Sequence, residues 1–97
     1  MIASFKRGDM ISRAIYDMKG NFKFSVVNYY EKELPHEILA EVNKQYKNYR
    51  INLVQDITSP QTMARIIHIE DDKNLKNLLI RDGEISVYQE YKKADKL

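Results

Sequence analysis

Residues 34–49 read LPHEILAEVNKQYKNY, the one stretch of the sequence with a clean helical period. Pro35 suits a first helical turn because its missing N–H needs no partner there, and Glu37 places negative charge near the positive end of the helix dipole. Apolar side chains recur along one side of this stretch, at Ile38, Leu39, Val42 and Tyr46. We therefore expect a helix over residues 35–47 with one buried face.

The rest of the chain alternates apolar and polar residues with the period of two that is typical of half-buried strands. Turn residues separate the segments, among them Gly20 and the pair Asp82–Gly83, which is a strong hairpin signal. A bulge is expected near Val54 or Gln55, where the alternation breaks. The expected strands cover residues 2–5, 11–17, 22–30, 50–58, 63–70, 75–81 and 84–91.

These elements predict an α+β fold, in which a mainly antiparallel sheet of six or seven strands packs against one helix. Tyr46 and Tyr49 are expected to close the helix against the sheet. Residues 1–92 form a single domain in this interpretation, and residues 93–97 form a disordered tail. The core candidates are Phe22, Phe24, Val26, Ile38, Leu39, Val42, Ile51, Ile67, Ile69, Ile80, Ile85 and Val87.

The composition of the 97 residues is that of a small folded domain, with 43% apolar and 31% charged residues. The 16 basic and 14 acidic residues are interspersed, so the sequence lacks the continuous basic stripe that a phosphate backbone requires. The chain has no cysteine, which excludes disulfides and thiolate metal sites. No apolar run approaches the roughly 20 residues that span a bilayer. We therefore predict neither nucleic-acid binding nor a membrane span.

No motif typical of a catalytic or cofactor-binding site is present in the sequence. His36 and His68 fall on different predicted elements, and neither has a second histidine at metal-ligand spacing. The acidic run at residues 70–72 lacks the alternating carboxylates of a calcium loop and is expected to form a solvated turn. We predict no enzyme activity, no cofactor and no metal.

The 7 tyrosines are many for so short a chain, and tyrosine is common on binding surfaces. Tyr29, Tyr88 and Tyr91 fall near predicted strand ends and are our candidate partner-binding residues. Because one helix covers only one face of a sheet, we expect a protein partner, or a second copy in a homodimer, on the other face.

Two alternatives differ in the kind of ligand. A small-ligand-binding or hydrolytic domain would place a closed cavity with converging polar groups in the concavity of the sheet, whereas a protein-binding module would show a flat, tyrosine-rich face. Single-stranded nucleic acid would require aromatic and basic residues interleaved on one face, a pattern at which Phe22, Lys23 and Phe24 only hint.

Aromatic residues, turn glycines and one Leu-Pro pair form a further pattern, carried by Ala3–Phe5, Gly8, Tyr16–Asp17, Gly20, Leu34–Pro35, Tyr46, Tyr49, Ile51, Val54, Ile67–Glu70 and Asp82–Gly83. This arrangement resembles the PepSY-like family of small secreted bacterial proteins, also described as beta-lactamase-inhibitor-like. The resemblance implies a helix on one face of an antiparallel sheet, export to the periplasm or beyond, and a binding or inhibitory role towards an unknown target. Family members usually carry a signal peptide and a further helix before the segment equivalent to Ile2–Phe5, so this domain is expected to lack that helix.

Overall fold

In a computed structural model, the chain forms a seven-stranded antiparallel sheet with one α-helix against it, which confirms the predicted α+β fold. The structure describes residues 2–8 and 10–93, without the side chains of Phe5 and Arg7. A short 3₁₀ turn, Glu31–Glu33, and helix α1, His36–Gln45, connect the third strand to the fourth. The strands are β1 (Ile2–Arg7), β2 (Met10–Tyr16), β3 (Phe22–Tyr29), β4 (Arg50–Thr58), β5 (Met63–Glu70), β6 (Asn74–Arg81) and β7 (Glu84–Lys92).

The helix is shorter than the predicted span of residues 35–47. Pro35 stands just before its first residue, and its carbonyl accepts the N–H groups of Ile38 and Leu39 at 3.1 and 3.0 Å. At the other end the N–H of Tyr46 bonds to the carbonyl of Val42 at 2.8 Å, and Asn48 then takes a left-handed backbone angle, φ 70°. Left-handed residues are common helix stops, so Asn48 ends the turn that leads into β4.

The strands lie side by side in the order of the sequence, β1 to β7. The predicted bulge near Val54 falls slightly earlier, between Ile51 and Leu53. The extra residue there, Asn52, lets Ile51 and Val54 point to the same side of the sheet although they are three positions apart. The predicted Asp82–Gly83 hairpin is confirmed: φ is 54° at Asp82 and 79° at Gly83, as a tight two-residue turn requires.

The core lies between α1 and the middle of the sheet. Val54, Ile67 and Leu78 sit directly opposite one another on β4, β5 and β6, and each is fully buried. Val42 of α1 is 1% exposed and belongs to the same cluster. Tyr46 and Tyr49 pack partly buried at its edge. The buried residues of the described chain are Tyr29, Leu34, Val42, Val54, Ile67, Ile69 and Leu78.

The predicted core is right for the helix and for β5, and wrong at the margins of the sheet. Val42, Ile67 and Ile69 are buried, while a second group packs partly buried against them: Ile38, Leu39, Ile51, Ile80 and Ile85. Phe22, Phe24 and Val87 are instead exposed, at 37%, 39% and 43%. Phe24 lies on the side of the sheet away from α1, as Val26 does. Val87 lies on the helix side, but a helix of ten residues is only about 15 Å long and does not reach the edge strand β7.

Val26 is also outside the core, since it lies on the side of the sheet away from α1. It alternates with Val27, which packs against the core. Of the predicted tail, Lys93 is described: it follows the last residue of β7, and its N–H bonds to the carbonyl of Lys73 at 2.8 Å. The rest of that predicted tail, residues 94–97, lies outside the described residues. None of the described helices has the length and apolarity needed to cross a membrane.

Candidate functional site

The side of the sheet opposite α1, which we call the open face, has no covering element among the described residues. Its central side chains alternate along the strands with the buried ones and are apolar. Val26 lies opposite Ile57, and Ile66 lies opposite Leu79. All of these are half-buried although only neighbouring side chains shield them. Towards β2, Ile11 and Phe24 extend the apolar area and are 38% and 39% exposed.

A row of polar side chains crosses the open face from β3 to β7. Gln55 donates from its amide to Oδ1 of Asn28 at 2.9 Å, and Asn77 donates to Oε1 of Gln89 at the same distance. The ring of His68 joins these two pairs in the middle. We call this set the amide–histidine row; its members are Asn28, Gln55, His68, Asn77 and Gln89.

The ring of His68 lies between two amide oxygens. Its Nδ1 is 2.6 Å from Oδ1 of Asn77, and its Nε2 is 2.8 Å from Oε1 of Gln55. A neutral imidazole has one N–H and can donate to only one of them. The row is therefore fully bonded around a neutral ring when one amide pair, Gln55 with Asn28 or Asn77 with Gln89, is turned so that an NH₂ group faces the ring.

The candidate tyrosines do not form a common patch. Tyr29 is 3% exposed and lies in the core, so its expected place on an exposed surface is corrected: its strand runs beneath the helix-covered part of the sheet. Tyr88 and Tyr91 are 57% and 50% exposed on β7. Tyr91 lies opposite Leu75, on the open face. A partner-binding role for these two residues stays a prediction.

On the helix side, a polar group lies just beyond the area that α1 covers. The Tyr29 hydroxyl donates to Oδ1 of Asp56 at 2.9 Å, and Nε of Arg65 donates to the same oxygen at 2.7 Å. Burial and the bond to Asp56 raise the pKa of Tyr29 to about 12. The hydrogen bond to Asp56 likewise raises the pKa of Arg65. The side chains of Asp56 and Arg65 are 24% and 19% exposed.

This polar group borders a half-open cleft of about 430 Å³ between the β4–β5 and β6–β7 turns. Asp56 and Arg65 reach it from the floor, and Ile80 adds an apolar wall. The residues that line the cleft are Asp56, Gln61, Thr62, Met63, Ala64, Arg65, Ile80, Asp82 and Gly83.

The acidic run at residues 70–72 begins at the last residue of β5 and continues into the turn before β6. Oδ1 of Asp71 accepts the backbone N–H groups of Lys73 and Asn74 at 2.9 and 2.6 Å, which lowers the pKa of Asp71. Glu70 pairs with Lys93, and that hydrogen bond is the main cause of the lowered pKa of Glu70. Within residues 2–8 and 10–93, no three histidine or acidic side chains are grouped as metal ligands.

Sequence reasoning missed both polar groups of the sheet. Asp56 and Arg65 are nine positions apart, and the row draws its members from five strands. Their positions within strands were visible, but their proximity depends on register, which one sequence does not specify. The available signal was the recurrence of amide side chains at strand positions next to buried apolar ones, as Gln55 follows Val54 and Asn77 precedes Leu78.

No family model and no curated protein matches this sequence. A solved structure does match: the crystal structure of a DUF2874 family protein from Bacteroides uniformis, with a TM-score of 0.71 and 9% sequence identity. The match covers 94% of this chain and 69% of that chain. At this identity the likeness concerns the fold alone, and it shows that this arrangement of strands and helix exists in a crystallised protein.

Proposed function

We propose that the chain is a non-enzymatic protein-binding module and that its open face makes the contact. The observation that carries the proposal is the continuous apolar area at the centre of that face, where Val26, Ile57, Ile66 and Leu79 have no covering element among the described residues. Contiguous apolar patches of this kind mark interaction sites on soluble proteins.

The size of the open face fits a protein partner. Seven strands at a spacing of about 4.8 Å, each about eight residues long with a rise of about 3.3 Å, give an area on the order of 750 Å². Stable protein interfaces bury about 800 Å² on each partner. One further sheet of the same size therefore covers the face.

The occupant that we propose is a second copy of this chain. The amide–histidine row carries both donors and acceptors, so a facing row can use the lone pairs and amide hydrogens that remain. No charged side chain belongs to the row or to the four central apolar residues, and Arg13, opposite Val26, lies at the border of that area. Two copies therefore pair without opposing like charges within it. Sheets pack face to face at about 10 Å, a separation that two such surfaces can reach.

The resemblance to PepSY-like proteins adds export and an inhibitory or binding role to the proposal. It supports a periplasmic or secreted location, and the target that it implies is unknown. The matched Bacteroides uniformis protein supports the shared fold only.

The experiment measures oligomeric state by light scattering across a wide range of protein concentrations. Wild type should reach a dimer, and Ile57→Lys and Phe24→Asp should each stay monomeric because a charge would be buried in the contact. Met18→Lys, at a fully exposed turn residue, is the matched control and should dimerise like wild type. Circular dichroism and cooperative unfolding establish that each variant is folded.

A wild type that stays monomeric at all concentrations contradicts the second copy as occupant. A dimer that persists in both open-face variants contradicts the surface. The use of two substitutions on different strands keeps the test decisive if one of them fails to fold.

The second candidate function is small-ligand binding or hydrolysis, and the cleft beside Asp56 and Arg65 favours it. The cleft is half-open and lies on the helix side, whereas a catalytic pocket is usually more enclosed. Binding without catalysis is the form of this alternative that the residues support. Of the two carboxylates that line the cleft, Asp56 is already bonded to Tyr29 and Arg65, and Asp82 lies in the β6–β7 turn.

A further inference from the structure

We propose that the cleft binds a carboxylate that carries an apolar group, with Arg65 as the anchoring residue. The site belongs to the second candidate function and lies on the helix side of the sheet. It does not depend on the open face, so either proposal can fail without the other.

The guanidinium of Arg65 has more N–H donors than Asp56 and Tyr29 accept. Arginine carries five N–H groups, of which Asp56 takes two, through Nε at 2.7 Å and Nη2 at 3.4 Å. The Tyr29 hydroxyl is the other group that interacts with Arg65, and it accepts at most one more. At least two N–H groups therefore have no partner within the described residues, which is the number that a bidentate carboxylate requires.

Asp56 and Tyr29 act as positioning residues. The Tyr29 ring is buried in the core, and its hydroxyl donates a hydrogen bond to Asp56. Asp56 in turn accepts hydrogen bonds from one edge of the Arg65 guanidinium. The side chain of Arg65 keeps 19% of its surface exposed, and the residue lines the cleft. A guanidinium held in this way loses little further freedom when an anion binds its remaining edge.

The walls of the cleft select the rest of the ligand. Ile80 and Met63 offer apolar surface, and Gln61 and Thr62 offer hydrogen bonds at the β4–β5 turn. A carboxylate with a branched aliphatic side chain suits both kinds of wall. The last residue of a peptide and a free acylated amino acid both present this chemistry.

Affinity should be modest. Asp56 already balances the charge of Arg65, and Asp82 adds a second carboxylate to the lining, so net charge opposes an anion and the paired hydrogen bonds must hold the ligand. We expect a dissociation constant of about 1 mM.

The test follows amide resonances by NMR during titration with N-acetyl-leucine and with its uncharged isostere, N-acetyl-leucine amide. The acid should shift the resonances of Thr62 and Gly83 saturably, and the amide should not. An N-acetylated peptide that ends in leucine distinguishes the two sources: tighter binding than N-acetyl-leucine indicates a peptide C-terminus, and equal binding indicates a free acid.

Arg65→Lys keeps the charge but loses the paired donors, so it should weaken binding of the acid about tenfold. Arg81→Lys, an exposed residue of β6 that does not line the cleft, is the matched control and should bind as wild type does. Equal shifts with acid and amide, or no saturation with the acid, would overturn the proposal. This comparison uses wild-type protein, so it decides the matter even if Arg65→Lys fails to fold.

Discussion

The hydroxyl of Tyr29 lies 2.9 Å from Oδ1 of Asp56 and donates a hydrogen bond to it. The ring of the same tyrosine is part of the buried core, with 3% of the residue exposed. One side chain therefore joins the apolar cluster under α1 to the polar floor of the cleft. A substitution in either place should alter the structure of the other.

Replacing Tyr29 with phenylalanine should destabilise the fold by about 1–2 kcal/mol, because the ring stays in place but the hydrogen bond to a charged acceptor is lost. The loss is limited because Asp56 keeps its bond to Arg65. Urea unfolding measures the change. Tyr91→Phe, at a half-exposed position, is the control and should leave the free energy of unfolding nearly unchanged; equal effects of the two changes would argue against the bond.

The stability that Tyr29 contributes should decline in alkaline solution. Its pKa rises from the usual 10.0 to about 12 in the folded protein, so the native state holds the phenolic proton more tightly than the unfolded chain does. Between these values the unfolded state binds fewer protons, and the free energy of unfolding falls as pH rises. The difference in unfolding free energy between wild type and Tyr29→Phe should therefore be constant below the lower value and shrink above it.

Truncating Ile67 should be far more costly than truncating Val87, although both belong to the predicted core. Ile67 is fully buried between Val54 and Leu78, and Ile67→Ala should cost about 3 kcal/mol through lost burial and the cavity it leaves. Val87 is 43% exposed on the edge strand, so Val87→Ala should cost under about 1 kcal/mol. Chemical denaturation of the two variants gives the comparison, and similar costs would contradict the described core.

Any side chain at Gly83, in the turn between β6 and β7, should lower the stability of the protein. The φ of 79° at Gly83 lies in the left-handed region, so Gly83→Ala should destabilise the protein by about 1–2 kcal/mol. No atom lies near the added methyl group, so the cost is conformational and not steric crowding. Asparagine tolerates this region, and Gly83→Asn should recover part of the loss in thermal unfolding; an alanine variant as stable as wild type would rule out this turn geometry.

Glu70 should contribute to stability at neutral pH and lose that contribution in acid. Lys93 chiefly, with Asn52, lowers the pKa of Glu70 below its usual 4.5, so the unfolded carboxylate takes up its proton first. The stabilisation is complete when the pH is above the usual pKa of a glutamate. It disappears as the pH falls through the lower pKa that Glu70 has in the folded protein. Glu70→Gln should flatten this part of the curve of unfolding free energy against pH. Glu84→Gln, which removes a carboxylate that is ion-paired with no other described residue, should retain it.

The helix and the hairpin could be predicted because their determinants are local. Periodicity identified the side of α1 that Val42 buries, and Asp82–Gly83 identified its turn. The burial of Phe24 could not be judged in the same way. Alternation says that successive residues face opposite sides, but not which side a ten-residue helix reaches.

Tyr29 and Val54 are the opposite case: they are buried, but the alternation of the sequence did not place them in the core. Both are buried, and both were left out of the predicted core because each stands beside a residue that breaks the pattern. Tyr29 precedes a second tyrosine, and Val54 follows the bulge at Asn52, which resets the alternation. The cleft depends on Arg65 facing Asp56, a pairing fixed by register and therefore invisible until the strands are aligned.

The sequential order of the seven strands bears on how fast the chain can find its fold. Each pairing joins segments that are neighbours along the chain, and most of the connecting loops are only a few residues long, so little loop entropy is lost as each ladder closes. The exception is the β3–β4 pairing, because the longer segment that contains α1 separates these two strands in the sequence. Low contact order of this kind is associated with fast folding, so this protein should fold faster than β-sandwiches of similar length, with closure around α1 as its slowest step.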